Sequence, residues 1–402
     1  MYDGVMKLQD GKYKVLHVTT IDITIRKVLV DKLKELEKYG YIIETMSDVT
    51  GFVSEIEKLG FPHHRIQMER QIRLLKDLKS MFEMYRFLKK NKYDIIHTHT
   101  AKAGVIGRIA GRLAGVPIVV HTSHGLPFYE GQSHIKNFIY KNLERIASWF
   151  SDGYFSQNKE DLSRIEKLVP KRVLTGYEGN GVSEAFINGD YRLPRDKIKH
   201  LRKQFGLNDE TFVFLMGARF EKVKNHDMLI NALKRIQDNY PFKVLLAGEG
   251  PLKKKIQEDV IRFQLGDKVE FLGYRNDIIN LIQMADGIIL TSEKEGIPRI
   301  IMEAMSFEKP VLATDVLGTR ELVVHKQTGE LVSLNDIEQL ASSIKQWVTP
   351  SYKNTLIKYG QAGRERIINH FTEAIVASRI NSFYQELIKR KQKRYKKSLR
   401  SI

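Results

Sequence analysis

Short apolar runs alternate with helix-patterned stretches along this chain, and the alternation begins twice. Residues 14–20 (KVLHVTT) form the first run, 28–39 have helical spacing that stops at Gly40, and 41–46 form a second run. A third, 94–98 (DIIHT), leads into helical spacing over 101–114; Gly115-Val116-Pro117 ends it, and 118–121 opens the next run. Further runs fall at 153–156 and 172–175. The pattern restarts with 211–217 (TFVFLMG), a helix over 226–238, and runs at 243–247, 269–272, 287–291 and 310–314. Alternation of this kind predicts parallel sheets with helices on both faces. A length of 402 residues exceeds one ordinary core. The expected fold is therefore α/β, with two doubly wound Rossmann-like domains. The polar stretch 188–203, with Gly189 and Pro194, separates them. The expected division is 1–190, 191–370, and 371–402, a last helix and basic tail able to cross back to the first domain. Two such sheets are expected to face a central cleft with the carboxyl ends of their strands, the default place for a ligand.

Composition narrows the chemistry. There is no cysteine, so disulfides and thiolate metal sites are excluded. No stretch reaches the 18 or so apolar residues of a membrane span, and residues 1–14 do not have the pattern of a signal peptide. The expected location is the cytoplasm. The net charge is +18, and it is clustered. Residues 389–402 hold eight Lys or Arg and no acid, and 65–92 hold nine basic against three acidic residues. Such clusters suit an anionic surface, with a solvated helix face and a frayed tail as the plainer reading. Within 65–92, positions 75, 78, 82 and 85 share one helical face with apolar side chains. Packing of that stripe on the sheet is the ordinary expectation. The surplus cations beside it point to peripheral attachment at an anionic inner membrane leaflet.

The segment 292–304, SEKEGIPRIIMEA, is the most informative. Glu295 precedes a helix expected to start at Pro298, a favoured first-turn residue, and Glu303 lies inside that helix. Exposed N–H groups at a helix start can receive phosphate. A carboxylate can accept hydrogen bonds from two adjacent ribose hydroxyls. Unrelated acids on a surface helix are the alternative.

This segment resembles the E-x7-E signature of the family 4 retaining glycosyltransferases, and the resemblance runs through nearly the whole chain. Gly217-Ala218-Arg219-Phe220 with Lys224-Asn225 resembles that family's phosphate loop. AGEGP at 247–251, FLGYRND at 271–277 and Asn180-Gly181-Val182 resemble its other motifs, in the expected order. HTHTAKAGVIG at 97–107 and HTSHG at 121–125 resemble the branch that assembles capsular and other surface polysaccharides. The resemblance implies the GT-B fold and a retaining, metal-independent transfer from a nucleotide-diphosphate sugar, with a uridine donor favoured. The acceptor would be a glycan or a polyprenol-linked sugar. No cofactor beyond the donor, no metal and no nucleic acid are expected.

The same resemblance implies roles. Arg219 and Lys224 would flank the diphosphate and neutralise leaving-group charge. Glu303 would bind the ribose, while Glu295 and the backbone of Gly296 and Ile297 would hold the sugar's hydroxyls. Tyr274 and Arg275 would approach the base, largely through backbone atoms. His124 would face the reacting sugar, with His17, His97 and His99 structural or acceptor-side. One departure is the loop 19–24, which has no glycine where many members carry adjacent glycines after the first strand. Thr20 or Arg26 would have to take over a phosphate contact there.

Other classes fit less well. The metal-dependent glycosyltransferase fold uses Asp-x-Asp, and no two aspartates here are so spaced. A dinucleotide oxidoreductase needs G-x-G-x-x-G after a strand, and the first strand is followed by no glycine. A nucleotide-sugar epimerase of similar architecture is the enzyme alternative. A non-catalytic polyanion-binding protein is the other, motivated by the basic clusters alone.

Overall fold

The computed structural model describes residues 12–69, 73–128, 132–236 and 241–399. Ile72 of the basic segment, the end of the helix expected over 226–238, and the last residues of the tail lie outside them. The chain divides into two compact units, one of residues 1–180 with 373–402 and one of 181–372.

In the first unit, strands β1 (Lys14–Ile21), β2 (Ile42–Asp48), β3 (His63–Arg65), β4 (Ile95–His99), β5 (Ile118–Ser123), β6 (Gly153–Ser156) and β7 (Leu174–Tyr177) form a parallel sheet in the order β3-β2-β1-β4-β5-β6-β7. In the second, β8 (Phe212–Gly217), β9 (Phe242–Ala247), β10 (Val269–Gly273), β11 (Gly287–Leu290), β12 (Val311–Thr314) and β13 (Gly329–Val332) follow the order β10-β9-β8-β11-β12-β13, again parallel. Strand order reverses between β1 and β4, and between β8 and β11. Those reversals open crevices at the strands' carboxyl ends.

The chain enters the second unit earlier than the polar stretch suggests. Val182 and Phe186 are buried in its core, so apolar packing rather than polarity sets the division. The Glu373–Leu399 helix, in contrast, returns to the first unit, as its position beyond the last strand allowed. Val376, Ile380, Phe383, Tyr384 and Leu387 join the core that holds Val15, Ile95 and Val120 of the sheet.

The Ala101–Ala114 helix covers the opposite face with small residues. A side chain at Gly107 would meet Thr98 at 2.5 Å, and one at Gly111 would meet Ile96 at 2.8 Å. The Leu74–Asn91 helix packs beside it. Here the structure corrects the stripe expected to pack on the sheet. Ser80, Met84 and Leu88, at helical spacing, are the buried residues, whereas Leu75, Leu78 and Phe82 are 85%, 56% and 58% exposed. Tyr85, the fourth residue of the stripe, is partly buried and packs against the core with Met81 and Phe87, so only that end of the stripe meets it.

Candidate functional site

In the second unit the residues after β8 and β11 are tied into one structure. Lys222–Lys224 makes a single tight turn, and Asn225 takes a left-handed conformation (φ 49°) that starts the His226–Leu233 helix. The loop after β11 is stitched to that turn: Thr291 Oγ1 donates to Asn225 O at 2.9 Å and Glu293 N to Val223 O at 2.8 Å. The result brings Lys224 Nζ to 2.6 Å from Glu295 Oε1, and Ser292 Oγ donates to the same oxygen at 2.6 Å. Ser292, which the motif reading passed over, thus orients the first glutamate.

Gly318 makes this arrangement possible. It sits at φ 86°, and a side chain there would lie 1.9 Å from the carbonyl oxygen of Gly296. The Glu295–Gly296 backbone is also held by Glu295 N donating to Leu317 O at 3.2 Å. Ile297 is buried. Pro298 caps the next helix rather than opening it: its ψ of 117° is extended, and the helix runs Arg299–Ser306. Glu303 lies within it, with Arg299 Nε at 3.4 Å. Burial pushes the Glu303 carboxyl above the usual carboxylate range, and Arg299 opposes this.

Arg219 is 3.0 Å from Glu221 and largely exposed. Gly248 and Gly250 let the chain after β9 lie against the backbone of Ala218 and Phe220, where side chains would sit 2.0 and 2.6 Å from carbonyl oxygens. Arg275 is committed to Asp277 through two hydrogen bonds of 2.8 and 2.7 Å, and Tyr274 is 69% exposed. The Arg275 side chain is thus occupied, while that of Tyr274 stands open to solvent.

The first unit holds a cluster of histidines that runs from the middle of β1 and β4 to the residue after β5. His17 and His97 are register partners, and residues two apart on a strand share a face. His17 Nδ1 lies 3.0 Å from His99 Nε2, and His99 Nδ1 lies 3.1 Å from His124 Nε2. His97 bonds Tyr384 Oη at 2.6 Å and Thr122 Oγ1 at 2.7 Å. Thr122 in turn donates to Glu178, which pairs with the fully buried Lys32. His17, His97 and His99 carry ring nitrogens within 4.8 Å of one another, a spacing a metal ion could use. All of their ring nitrogens but His17 Nε2 are engaged with one another, with His124 or with hydroxyls, and the Lys32 charge bears on all three rings. The donor set suits a hydrogen-bond network better than a cation.

His17 Nε2 is buried with no hydrogen-bond partner. A bare acceptor is cheaper to bury than an orphaned N–H. Hydrogen-bond satisfaction then assigns the protons: His17 Nδ1–H donates to His99, His99 Nδ1–H donates to His124, and His124 keeps its own proton on Nδ1. The glycine-free loop is tied to neighbouring segments. Thr20 Oγ1 lies 2.8 Å from Thr100 Oγ1, and Asp22 accepts from the backbone of Thr50, Gly51 and Phe52. Arg26 is paired with Glu55 at 2.7 Å. Neither substitute for a phosphate contact is idle.

Burial, aided by the Lys32 charge, lowers His17 to about 3 and His124 to about 4. Burial lowers His226 to about 4 and moves His97, His99 and His121 in the same direction. Unfolding returns each to about 6.5, so below that pH the unfolded chain binds protons that the native one refuses. Stability is complete above about pH 6.5 and falls as pH drops toward the native values. The urea midpoint is expected to be lower at about pH 5.5 than at about pH 7.5; an equal or higher midpoint at the lower pH contradicts the burial of neutral imidazoles.

Residues 11–158 match the family described as Glycosyl transferase 4-like, and residues 197–366 match Glycosyl transferases group 1. The chain is 30% identical to the UDP-Gal:alpha-D-GlcNAc-diphosphoundecaprenol alpha-1,3-galactosyltransferase of Escherichia coli, over 95% of this chain and 99% of that one. The chain is a family 4 glycosyltransferase. Among other glycosyltransferases it is 26% identical to the capsular polysaccharide biosynthesis glycosyltransferase CapM of Staphylococcus aureus, over 94% of this chain and 98% of the relative. The UDP complex of HepE from Anabaena has a TM-score of 0.78 at 22% identity, covering 93% of this chain and 100% of the other. That likeness is one of fold, the GT-B architecture of two Rossmann-like domains. The epimerase and polyanion-binding alternatives fall away.

Proposed function

We propose that this glycosyltransferase moves a sugar from a UDP-sugar to a lipid-linked glycan acceptor, with retention and without a metal ion. The observation that carries the reading is the Lys224–Glu295–Ser292 cluster, one loop from Glu303. It sets a cation for the leaving diphosphate beside a carboxylate able to hold sugar hydroxyls. Glu303 takes the ribose, Arg219 and Lys224 the diphosphate, and Glu295 with the backbone of Gly296 and Ile297 the sugar. Tyr274 and Arg275 offer backbone to the base. His124, neutral and protonated on Nδ1, serves as a hydrogen-bond donor to the sugar rather than as a base. As the bond from the anomeric carbon to phosphate breaks, the acceptor oxygen bonds that carbon on the same face. The acceptor's proton passes to the departing phosphate oxygen. The Escherichia coli relative, whose name gives a UDP-Gal donor and a diphosphoundecaprenol-linked acceptor, supports this choice.

Thermal shift against a panel of nucleotide sugars identifies the donor, because a ligand that binds only the native state raises its stability. Activity with that donor is expected to persist in chelator and to give a product of unchanged anomeric configuration. Loss in chelator that Mg2+ or Mn2+ restores removes the metal-free part, and an inverted product removes the retaining part.

The acceptor's membrane is the partner of the Leu74–Asn91 helix. Its outward Leu74, Leu75, Leu78 and Phe82 stand among Arg73, Lys76, Lys79 and Arg86, an arrangement suited to the interface of an anionic leaflet. Arg73 and Lys76 both approach Glu69, and Lys79 lies 3.9 Å from Glu83, so local acids offset part of the charge. No described helix is long and apolar enough to cross a membrane. Changing these four cations to Gln is expected to weaken co-sedimentation with anionic vesicles at low salt. Equal binding to neutral and anionic lipid contradicts the assignment.

A further inference from the structure

The His134–Ser148 helix is built inside out. Its buried residues are Glu144, Ala147 and Ser148, and Glu144 meets Arg108 at 2.6 Å and accepts from Tyr154 Oη at 2.8 Å. Its apolar residues face the other way. Ile135, Phe138, Ile139, Ile146 and Trp149 are 72%, 71%, 46%, 56% and 60% exposed, and their spacing puts them on one face. A soluble helix normally does the reverse, and an apolar stripe left in water marks a surface with a partner. This helix and the Leu74–Asn91 helix both pack against the Ala101–Ala114 helix.

Beside the stripe lies a groove of about 730 Å³. Lys141, Arg145, Arg164 and Lys167 supply its charge, Phe128 and Phe138 part of its apolar wall, and no carboxylate is among its described lining residues. Phe128 follows His124 by four residues, at most about 14 Å of chain. We infer that this groove holds the diphosphate of the lipid-linked acceptor, with the outward stripe of the His134–Ser148 helix in the membrane interface along the lipid's hydrocarbon. The inference rests on the reading that the acceptor is lipid-linked, and it adds where the lipid end is held. Guanidinium and ammonium groups, with no carboxylate among the described lining residues, suit a diphosphate. The apolar wall that Phe138 shares with the outward stripe suits the prenyl chain attached to it. Bound there, the first sugar beyond the diphosphate lies within reach of the His124 loop.

The test compares the full chain on phosphatidylcholine vesicles doped with a polyprenyl diphosphate and on vesicles given the same surface charge by phosphatidylglycerol. Binding to the polyprenyl diphosphate vesicles is expected to be about tenfold tighter or more, since localised hydrogen-bonded charge adds to the diffuse surface attraction. The K141Q/R145Q/K167Q variant is expected to lose that difference and bind both at the phosphatidylglycerol level. I135S/F138S is expected to weaken binding to both. All variants should keep the wild-type urea unfolding transition, which reports an intact first unit, and wild-type UDP affinity, which reports the second. Equal binding of the wild type to the two vesicles overturns the inference, as does a triple variant that keeps the preference. Absence of UDP binding by the wild type is a separate result and overturns the donor reading instead.

Discussion

Replacing Lys224 with alanine is expected to lower turnover by about 10²–10³-fold, the scale of removing one donor from a developing oxyanion, about 2.7–4 kcal/mol. Charge on the leaving diphosphate is greatest at the transition state, so the loss should appear in kcat more than in donor affinity. The structure adds a second cause. Lys224 is the cation beside Glu295, which is mostly buried, and without it the carboxylate keeps Ser292 alone of the two partners seen on Oε1. Losses from Lys224→Ala and Glu295→Ala should therefore be less than additive in a double-mutant cycle. Single-turnover measurement separates the outcomes. A variant with unchanged turnover and only a raised donor dissociation constant contradicts a transition-state role.

Glu303→Ala is expected to act on the other parameter. Two charge-assisted hydrogen bonds to ribose, allowing for non-additivity, contribute roughly 2–4 kcal/mol, so UDP affinity should fall about 30- to 1000-fold. The alanine also removes the carboxylate facing Arg299, but a contact of 3.4 Å is long and adds little. Calorimetric titration with UDP and with free uracil distinguishes the sites. If UDP binds Glu303→Ala as tightly as the wild type, Glu303 does not hold the ribose.

The two sheets were legible in the sequence because parallel strands buried on both faces read as unbroken apolar runs. The strands missed are β3 and β13. The first is His63–Arg65, short and polar, and the second, Gly329–Val332, is an edge strand; neither has the run that announces a strand. The second unit's cluster was legible because it is local: Glu295 and Glu303 belong to one loop and helix. The first unit's network was not, because Lys32 and Glu178 stand 146 residues apart. Only Lys32, a charge among Leu29, Leu33 and Leu36 on an apolar helical face, hinted at a buried partner. The stripe at 75, 78, 82 and 85 was misread at its first three positions for a different reason. Periodicity says which apolar residues share a face, but not whether that face meets the sheet or the solvent.

The return of the Glu373–Leu399 helix has a consequence for biosynthesis. Ile380, Phe383, Tyr384 and Leu387 fill the first unit's core, and Tyr384 supplies the hydroxyl that bonds His97. The second unit draws every residue from one continuous stretch, 181–372. On the ribosome, therefore, the portion made first must wait for the portion made last, while the middle of the chain can reach its native packing ahead of both. Until the final helix emerges, the early strands expose the apolar face that Phe383 and Leu387 will cover. A nascent chain stalled or truncated before residue 373 would carry a finished nucleotide-sugar half beside an unfinished, aggregation-prone partner.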